Sequence, residues 1–257
     1  MKISVRAFIT AKSEYDSIAK CMDSFSIDAD KGVFAVADGV SGSLMAKLWA
    51  PLLTDTFVQR ADDFFVQDDG GNIILNKSLN LPDSFSSKLV NYMDDLSEDK
   101  KERINRQIER YEPTGGSRAT FIGLQIKEKL ALVNTIGDSI VYTYFNEKIK
   151  SCTSMGNGGK IEFTQTPECI ASNGKIYGMM KSATIPLENG YIYLMTDGIA
   201  KWFYNNDNYK SEKIDKINNL KDHKSFYSFV EEQRKNGFMD DDDTTLLIIK
   251  IEESESN

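Results

Sequence analysis

The placement of short apolar runs constrains this chain more than any other feature. Such runs occur at 3–9 (ISVRAFI), 33–37 (VFAVA), 119–126 (ATFIGLQI), 130–136 (LALVNTI), 139–145 (SIVYTYF), 191–196 (YIYLMT) and 245–251 (TLLIIKI). Their length and their β-branched and aromatic content predict strands. Two long stretches read as helices instead. Leu44, Leu48 and Leu52, with Trp49, Leu53 and Phe57, recur every four residues and predict a helix over 43–65. Phe85, Leu89, Tyr92, Leu96, Ile104 and Ile108 predict one long helix or two short ones over 83–111, and Phe226, Phe229 and Val230 a shorter helix near 223–236. Asn146, Glu147 and Lys148, between SIVYTYF and IKSC, read as a hairpin tip. Because strands and helices do not alternate regularly, the pattern argues against a doubly wound sheet and for a mostly antiparallel α+β layer fold.

A chain of 257 residues with 40% hydrophobic content can bury one large core, so a single domain over 1–251 is expected, with a short acidic tail over 252–257. Lys and Arg total 31 against 39 Asp and Glu, and the net charge of −8 disfavours nucleic acid and anionic membrane as partners while suiting hard cations. The cysteines, Cys21, Cys152 and Cys169, are odd in number and lack zinc-ligand spacing, which fits a reducing compartment. Arg6 interrupts what would be the apolar centre of a signal peptide, and no run of 18 apolar residues occurs, so a cytoplasmic location is expected.

Acidic residues stand where these strands emerge. Asp38–Gly39 ends VFAVA, Asp197–Gly198 ends YIYLMT, Gly137–Asp138 ends LALVNTI, and the run Asp240–Asp243 leads into TTLLIIKI. Any one Asp-Gly pair is explained by turn chemistry, and four consecutive aspartates by a solvated loop. Several carboxylates gathered at strand ends are a different matter, because burial and mutual repulsion would raise their pKa values unless cations neutralise them. Glycine after aspartate permits positive φ and close approach, and leaves the Gly39 carbonyl free to face a cation. The aspartate run lacks the alternating spacing of an EF-hand.

In order along the chain, CMDSF at 21–25, VFAVADGVSGS at 33–43, GGSRATFIGL at 115–124, VNTIGDSIVY at 133–142, YLMTDGIAKWF at 193–203 and DDTTLLII at 242–249 resemble the PPM/PP2C metal-dependent serine/threonine phosphatases. The Cys-x-Asp first motif is similar to that of a bacterial branch. The resemblance implies a four-layer α-β-β-α sandwich, in which two mostly antiparallel sheets are flanked by helices. It also implies two Mn²⁺ or Mg²⁺ ions bridged by a water that attacks phosphorus directly. By position, Asp38 would bridge both cations, the Gly39 carbonyl would face one, Asp197 and Asp242 would ligate the other, and Asp23 would hold metal-bound water. Asp138 would be structural, and Asp243 and Thr245 would shape the ligand loop. Asp241 fits the family pattern as well as Asp242; the apolar run starting at Leu246 favours Asp242. Phosphorylated proteins would be the substrates, with a cognate Ser/Thr kinase or its targets as partners.

The chain departs from this pattern in several places. Ile18 stands where a phosphate-binding arginine is expected, leaving Lys20, Lys12, Arg6 and Arg118 as substitutes, and Val40 stands where some relatives carry a histidine. His223 is remote in sequence, and Glu112 is the nearest carboxylate to the position that helps bind a third metal in some relatives. The segment from Ser151 to Lys181 falls where relatives carry a flap beside the active site, and reads equally as a flap that selects the substrate or as a plain surface excursion. Cys21 reads as a buried structural thiol. The departures at Ile18 and Val40 motivate a second reading, a catalytically weak pseudophosphatase acting as a regulatory module.

Overall fold

A computed structural model describes residues 1–15, 17–151, 163–164, 166–205 and 210–252. Its strands, in chain order, are β1 (Lys2–Thr10), β2 (Ser24–Asp28), β3 (Val33–Ala37), β4 (Phe65–Gln67), β5 (Ile73–Leu75), β6 (Arg118–Ala119), β7 (Phe121–Lys127) and β8 (Leu130–Ile136). They continue as β9 (Ile140–Phe145), β10 (Lys148–Ser151), β11 (Cys169–Ala171), β12 (Ile176–Tyr177), β13 (Lys181–Pro186), β14 (Gly190–Met195) and β15 (Thr244–Glu252). The helices are α1 (Ala46–Arg60), α2 (Leu81–Asp94), α3 (Glu98–Tyr111), α4 (Asp197–Tyr204), α5 (Lys210–Asn218) and α6 (His223–Lys235).

Two five-stranded sheets, ordered β1-β15-β14-β9-β10 and β13-β8-β7-β3-β2, are antiparallel throughout and form the middle of the molecule. Alternate residues of each strand face opposite ways. Phe34, Val36, Ile122, Leu124, Ile192, Leu194, Leu247 and Ile249 fill the space between the sheets. From the same strands, Val33, Ala35 and Phe121 pack outward against α1, α2 and α3, through Trp49, Leu53, Phe57 and Phe85. On the opposite side Tyr193, Met195, Leu246 and Ile248 pack against α4, α5 and α6, through Ile199, Phe203, Ile217 and Phe226. Both faces of each sheet are therefore covered, which is why VFAVA and TLLIIKI are unbroken apolar runs where a half-exposed strand would alternate. The result is the four-layer α+β sandwich expected from the motifs. Among the described residues, no helix is long and apolar enough to cross a membrane.

Several local expectations needed correction. The first helix is shorter than 43–65: Gly42 and Met45 have positive φ (76° and 47°), so 38–45 forms a loop before α1. Beyond Arg60, Phe64 and Phe65 still pack on Phe57, but Phe65 begins β4, which pairs with β5 around a turn where the Asp68 carboxylate accepts from the Gly70 and Asn72 amides. Residues 83–111 form the two-helix alternative, broken between α2 and α3. The hairpin tip is Asn146–Glu147, both residues with positive φ (50° and 60°), the signature of a two-residue turn that suits right-twisted strands. Between Ser151 and Lys181, the described residues include β11 and β12, which join β6 in a small separate sheet. The Trp49 indole N–H donates to the Ile170 carbonyl on β11 at 2.9 Å. The SMGNGGK part of the expected flap, Cys152 and residues 253–257 of the tail lie outside the described residues.

Candidate active site

Register brings the acidic strand ends to one edge of the sandwich. Ser24 pairs with Ala37, Phe121 with Ile136, Ile140 with Met195, and Met195 with Leu246. The residues just beyond these pairs, Asp23, Asp38, Asp138, Asp197 and Asp243, must therefore emerge together. Thr120 and Thr196 stitch this edge: the Thr120 amide donates to the Asp38 carbonyl (2.8 Å), and the Thr245 amide to the Thr196 hydroxyl (2.8 Å).

Asp38, Asp138, Asp197 and Asp242 line one cavity of about 380 Å³, together with Gly39, Val40 and Lys201. Burial pushes the Asp38 carboxyl well above the ordinary carboxylate range, and the charges of Asp23, Asp197, Asp138 and Asp242 push it further. Burial and the nearby Asp197 raise Asp242 as well. Asp23, 5% exposed, does not line the cavity but lies near enough for its charge to act on Asp38. One of its oxygens accepts from the hydroxyls of Thr196 (2.9 Å) and Thr245 (2.8 Å), while the other, Oδ1, is buried without a partner. Burial, then the charge of Asp243, raises its pKa well above the usual value.

The two residues that compete for one place in the sequence are separated by the structure. Asp241 turns away from the cavity, where its carboxylate accepts from the Ser13 amide (2.8 Å) and hydroxyl. Asp242 faces inward. Asp243, 3% exposed, accepts from the Lys12 amide (3.0 Å) and the Met22 amide (2.7 Å), and so clamps the segment before β2 to the start of β15.

Gly39 is required by close approach alone. It has no positive φ; a Cβ there would lie 2.7 Å from the Met22 carbonyl oxygen and 2.8 Å from the Ala46 Cβ. Gly198 is crowded in the same way, 2.6 Å from the Asp243 carbonyl oxygen.

Asp138 faces the same cavity as the three aspartates proposed to ligate metal. Its Oδ2 accepts from the Thr164 amide (3.2 Å) and its buried Oδ1 has no partner. Burial, reinforced by Asp197, pushes its pKa up to about 6, against the pull of the Thr164 amide and of Lys201. In the window between the unfolded value of about 3.9 and this raised value, the folded chain holds a proton that the unfolded chain has lost, so stability falls as pH rises through it. Without metal, Asp138→Asn is expected to melt higher than the parent at about pH 7.5, and the gain to shrink towards about pH 5. Thermal unfolding in EDTA measures this; an equal difference at both pH values would contradict it.

Among the described residues, none of Lys20, Lys12, Arg6 and Arg118, the substitutes for the missing arginine, lines the cavity. The Arg6 guanidinium donates to the carbonyls of Asn218 and Leu220, Lys12 pairs with Glu14 over the Tyr15 ring, and Arg118 does not line the cavity. Ile18 is 54% exposed beside a separate groove that also contains His223, whose ring meets Phe8 edge-on. Cys21 and Cys169 are buried free thiols; burial pushes Cys169 up to about 11 and Cys21 higher still. Neither is poised as a nucleophile.

Sequence reasoning did not find Lys201, the cation inside the cavity. Its Nζ lies 2.7 Å from Asp197 Oδ2, one helical turn away on α4. The i, i+4 spacing from Asp197 would have revealed it had α4 been recognised from Ile199, Trp202 and Phe203.

The donor set fits hard divalent cations: all oxygen, anionic, and including an unpartnered buried oxygen on Asp138. Among the described residues the side chains share the cavity without three of them converging on a single point.

No family model and no curated protein sequence matches the chain. Solved structures do match over nearly its full length. Serine/threonine phosphatase Stp1 from Staphylococcus aureus superposes with a TM-score of 0.61 at 15% identity, over 98% of this chain and 96% of that one. The Mycobacterium tuberculosis serine/threonine phosphatase PstP/Ppp gives 0.59 at 12% identity, over 98% and 99%. The catalytic domain of the serine/threonine protein phosphatase PstP, in complex with two manganese ions, gives 0.59 at 14% identity, also over 98% and 99%. The fold built here from strand register and two-sided burial is thus the PP2C-type fold of bacterial serine/threonine phosphatases.

Proposed function

We propose that this chain is a metal-dependent protein serine/threonine phosphatase. The observation that carries the reading is the meeting of Asp38, Asp138, Asp197 and Asp242, from separate elements, around one cavity at the sheet edge. The phosphatase fold, and the two manganese ions of one protein that shares it, support it. Asp38 and the Gly39 carbonyl would hold one Mn²⁺ or Mg²⁺ ion, with Asp38 also reaching the second beside Asp197 and Asp242. When bound, the pair supplies Lewis acidity and a water of lowered pKa aimed at phosphorus.

The chain's own residues perform the remaining tasks. Asp23, held by Thr196 and Thr245, keeps Oδ1 as a free acceptor that orients water near Asp38. Asp243 fixes Asp242 through its backbone while tying down Lys12 and Met22. Val40 offers no proton to the leaving oxygen, so acid catalysis falls to water. The substrates are proteins bearing phosphoserine or phosphothreonine, with a cognate kinase or its targets as partners. The enzyme works in the cytoplasm as one catalytic domain over 1–251. The Ile18 and Val40 departures favour one second reading, a weakly active regulatory module on the same fold.

Purified protein is expected to hydrolyse p-nitrophenyl phosphate with Mn²⁺ and to stop in EDTA; metal binding without turnover on any phosphoester would select the regulatory module. Asp242→Asn should weaken Mn²⁺ binding by about a hundredfold, the scale of a lost ligand or its immediate support. Asp241→Asn should stay within about threefold, because an exposed side chain bonded to Ser13 contributes little. Calorimetric titration of both variants with Mn²⁺ checks the register, and a reversed order would move the ligand to Asp241.

A further inference from the structure

The cavity is electrostatically lopsided. Lys201 Nζ sits 2.7 Å from Asp197 Oδ2 and 3.5 Å from Asp240 Oδ2, and lies 5.8 Å from the centroid of the Phe163 ring. Its side chain is only 26% exposed, so the pair is partly shielded from water. Among the described residues, no Lys or Arg forms an ion pair with Asp38 or Asp138, and Lys201, the only Lys or Arg lining the cavity, pairs with Asp197 and Asp240. An ammonium and a divalent ion compete for the same lone pairs, and Asp197 cannot give Oδ2 fully to both. Helix geometry fixes the competition, since Lys201 is held one turn from Asp197 on α4.

We propose that Lys201 is a tethered cation that stands in for one of two divalent ions at Asp197, so that the ion that does not use Asp197 binds first and the second binds only by displacing the ammonium. This rests on the two-ion reading above and adds an order of filling set by a residue of this chain. The acidic cavity is therefore never without positive charge at Asp197, and the second ion is the weaker one. Substrate turnover then follows the second ion's concentration, making Lys201 the residue that sets the metal requirement.

Calorimetric titration with Mn²⁺ alone tests this without reference to activity. The parent protein is expected to bind in two steps. Lys201→Met should tighten the second by at least about tenfold, or about 1.4 kcal/mol, and leave the first within about twofold. Lys201→Arg, which keeps a cation on the helix, should retain the weak second step. An unchanged second step in Lys201→Met overturns the proposal while leaving the two-ion reading intact; no binding by either protein overturns both. Should Lys201→Met be unfolded in EDTA, refolding on adding Mn²⁺, followed by circular dichroism, supports the tethered cation. Failure of Mn²⁺ to restore the fold overturns it.

Discussion

Asp38→Asn is expected to lower kcat/KM for p-nitrophenyl phosphate by about a thousandfold or more, or about 4 kcal/mol of transition-state stabilisation. Asp38 is the carboxylate on which the neighbouring charges converge: Asp23, Asp197, Asp138 and Asp242 all raise its pKa. In the proposed mechanism it would help hold both ions, so its neutral amide would weaken both sites. The substitution removes a partly buried anion that its acidic neighbours repel, and should leave the metal-free protein folded and at least as stable, so lost activity would not reflect lost structure. Steady-state assays with Mn²⁺, paired with thermal unfolding in EDTA, separate the two effects. Activity within a few fold of the parent would sink the two-ion mechanism.

The largest effect on stability is expected from Trp49→Ala, about 3–5 kcal/mol as for other buried aromatic truncations. Trp49 is fully buried, meets Phe85 edge-on at 5.6 Å, and donates its indole N–H to Ile170. It therefore joins α1, α2 and the small β6-β11-β12 sheet, and no smaller residue fills that space while keeping the donor. Guanidinium unfolding followed through the remaining Trp202 measures the loss. A decrease below about 1 kcal/mol would mean that the site collapses around the gap.

How much of this was legible in the sequence depended on burial on both faces. Strands such as Val33–Ala37 and Thr244–Glu252 are apolar through and through because helices cover one side and a second sheet the other, and they were found. Ser24–Asp28 was missed because it is a partly buried edge strand with polar residues at alternate positions. Helix α4 was missed because it starts on the aspartate that ends the preceding strand run, so its first turn read as turn chemistry. The acidic site was readable as a set of strand ends, but between its neighbouring members Asp241 and Asp242 only the apolar run at Leu246 favoured one. Asp241 and Asp242 differ by one position, and the fold tells them apart by turning Asp241 to Ser13 and Asp242 into the cavity. Lys201 stayed hidden with α4, and Asp138, read as structural, lines the cavity with an unpartnered oxygen.

The pairing of β1 with β15 has a consequence for how the molecule is made. Lys2 faces Glu252, and the nine-residue ladder between these strands joins segments more than two hundred residues apart in the chain. Contacts of such sequence separation form late and slowly. During synthesis β1 waits, with its hydrogen-bonding groups unpaired, for a strand that leaves the ribosome long after β14. The sheet cannot be completed from its first-made parts, because β15 is the slat between β1 and β14. Asp242 and Asp243 arrive with that slat. The nascent protein thus acquires its full ring of carboxylates only as its sheet closes, and an incomplete chain exposes neither the whole cavity nor the chemistry proposed for it.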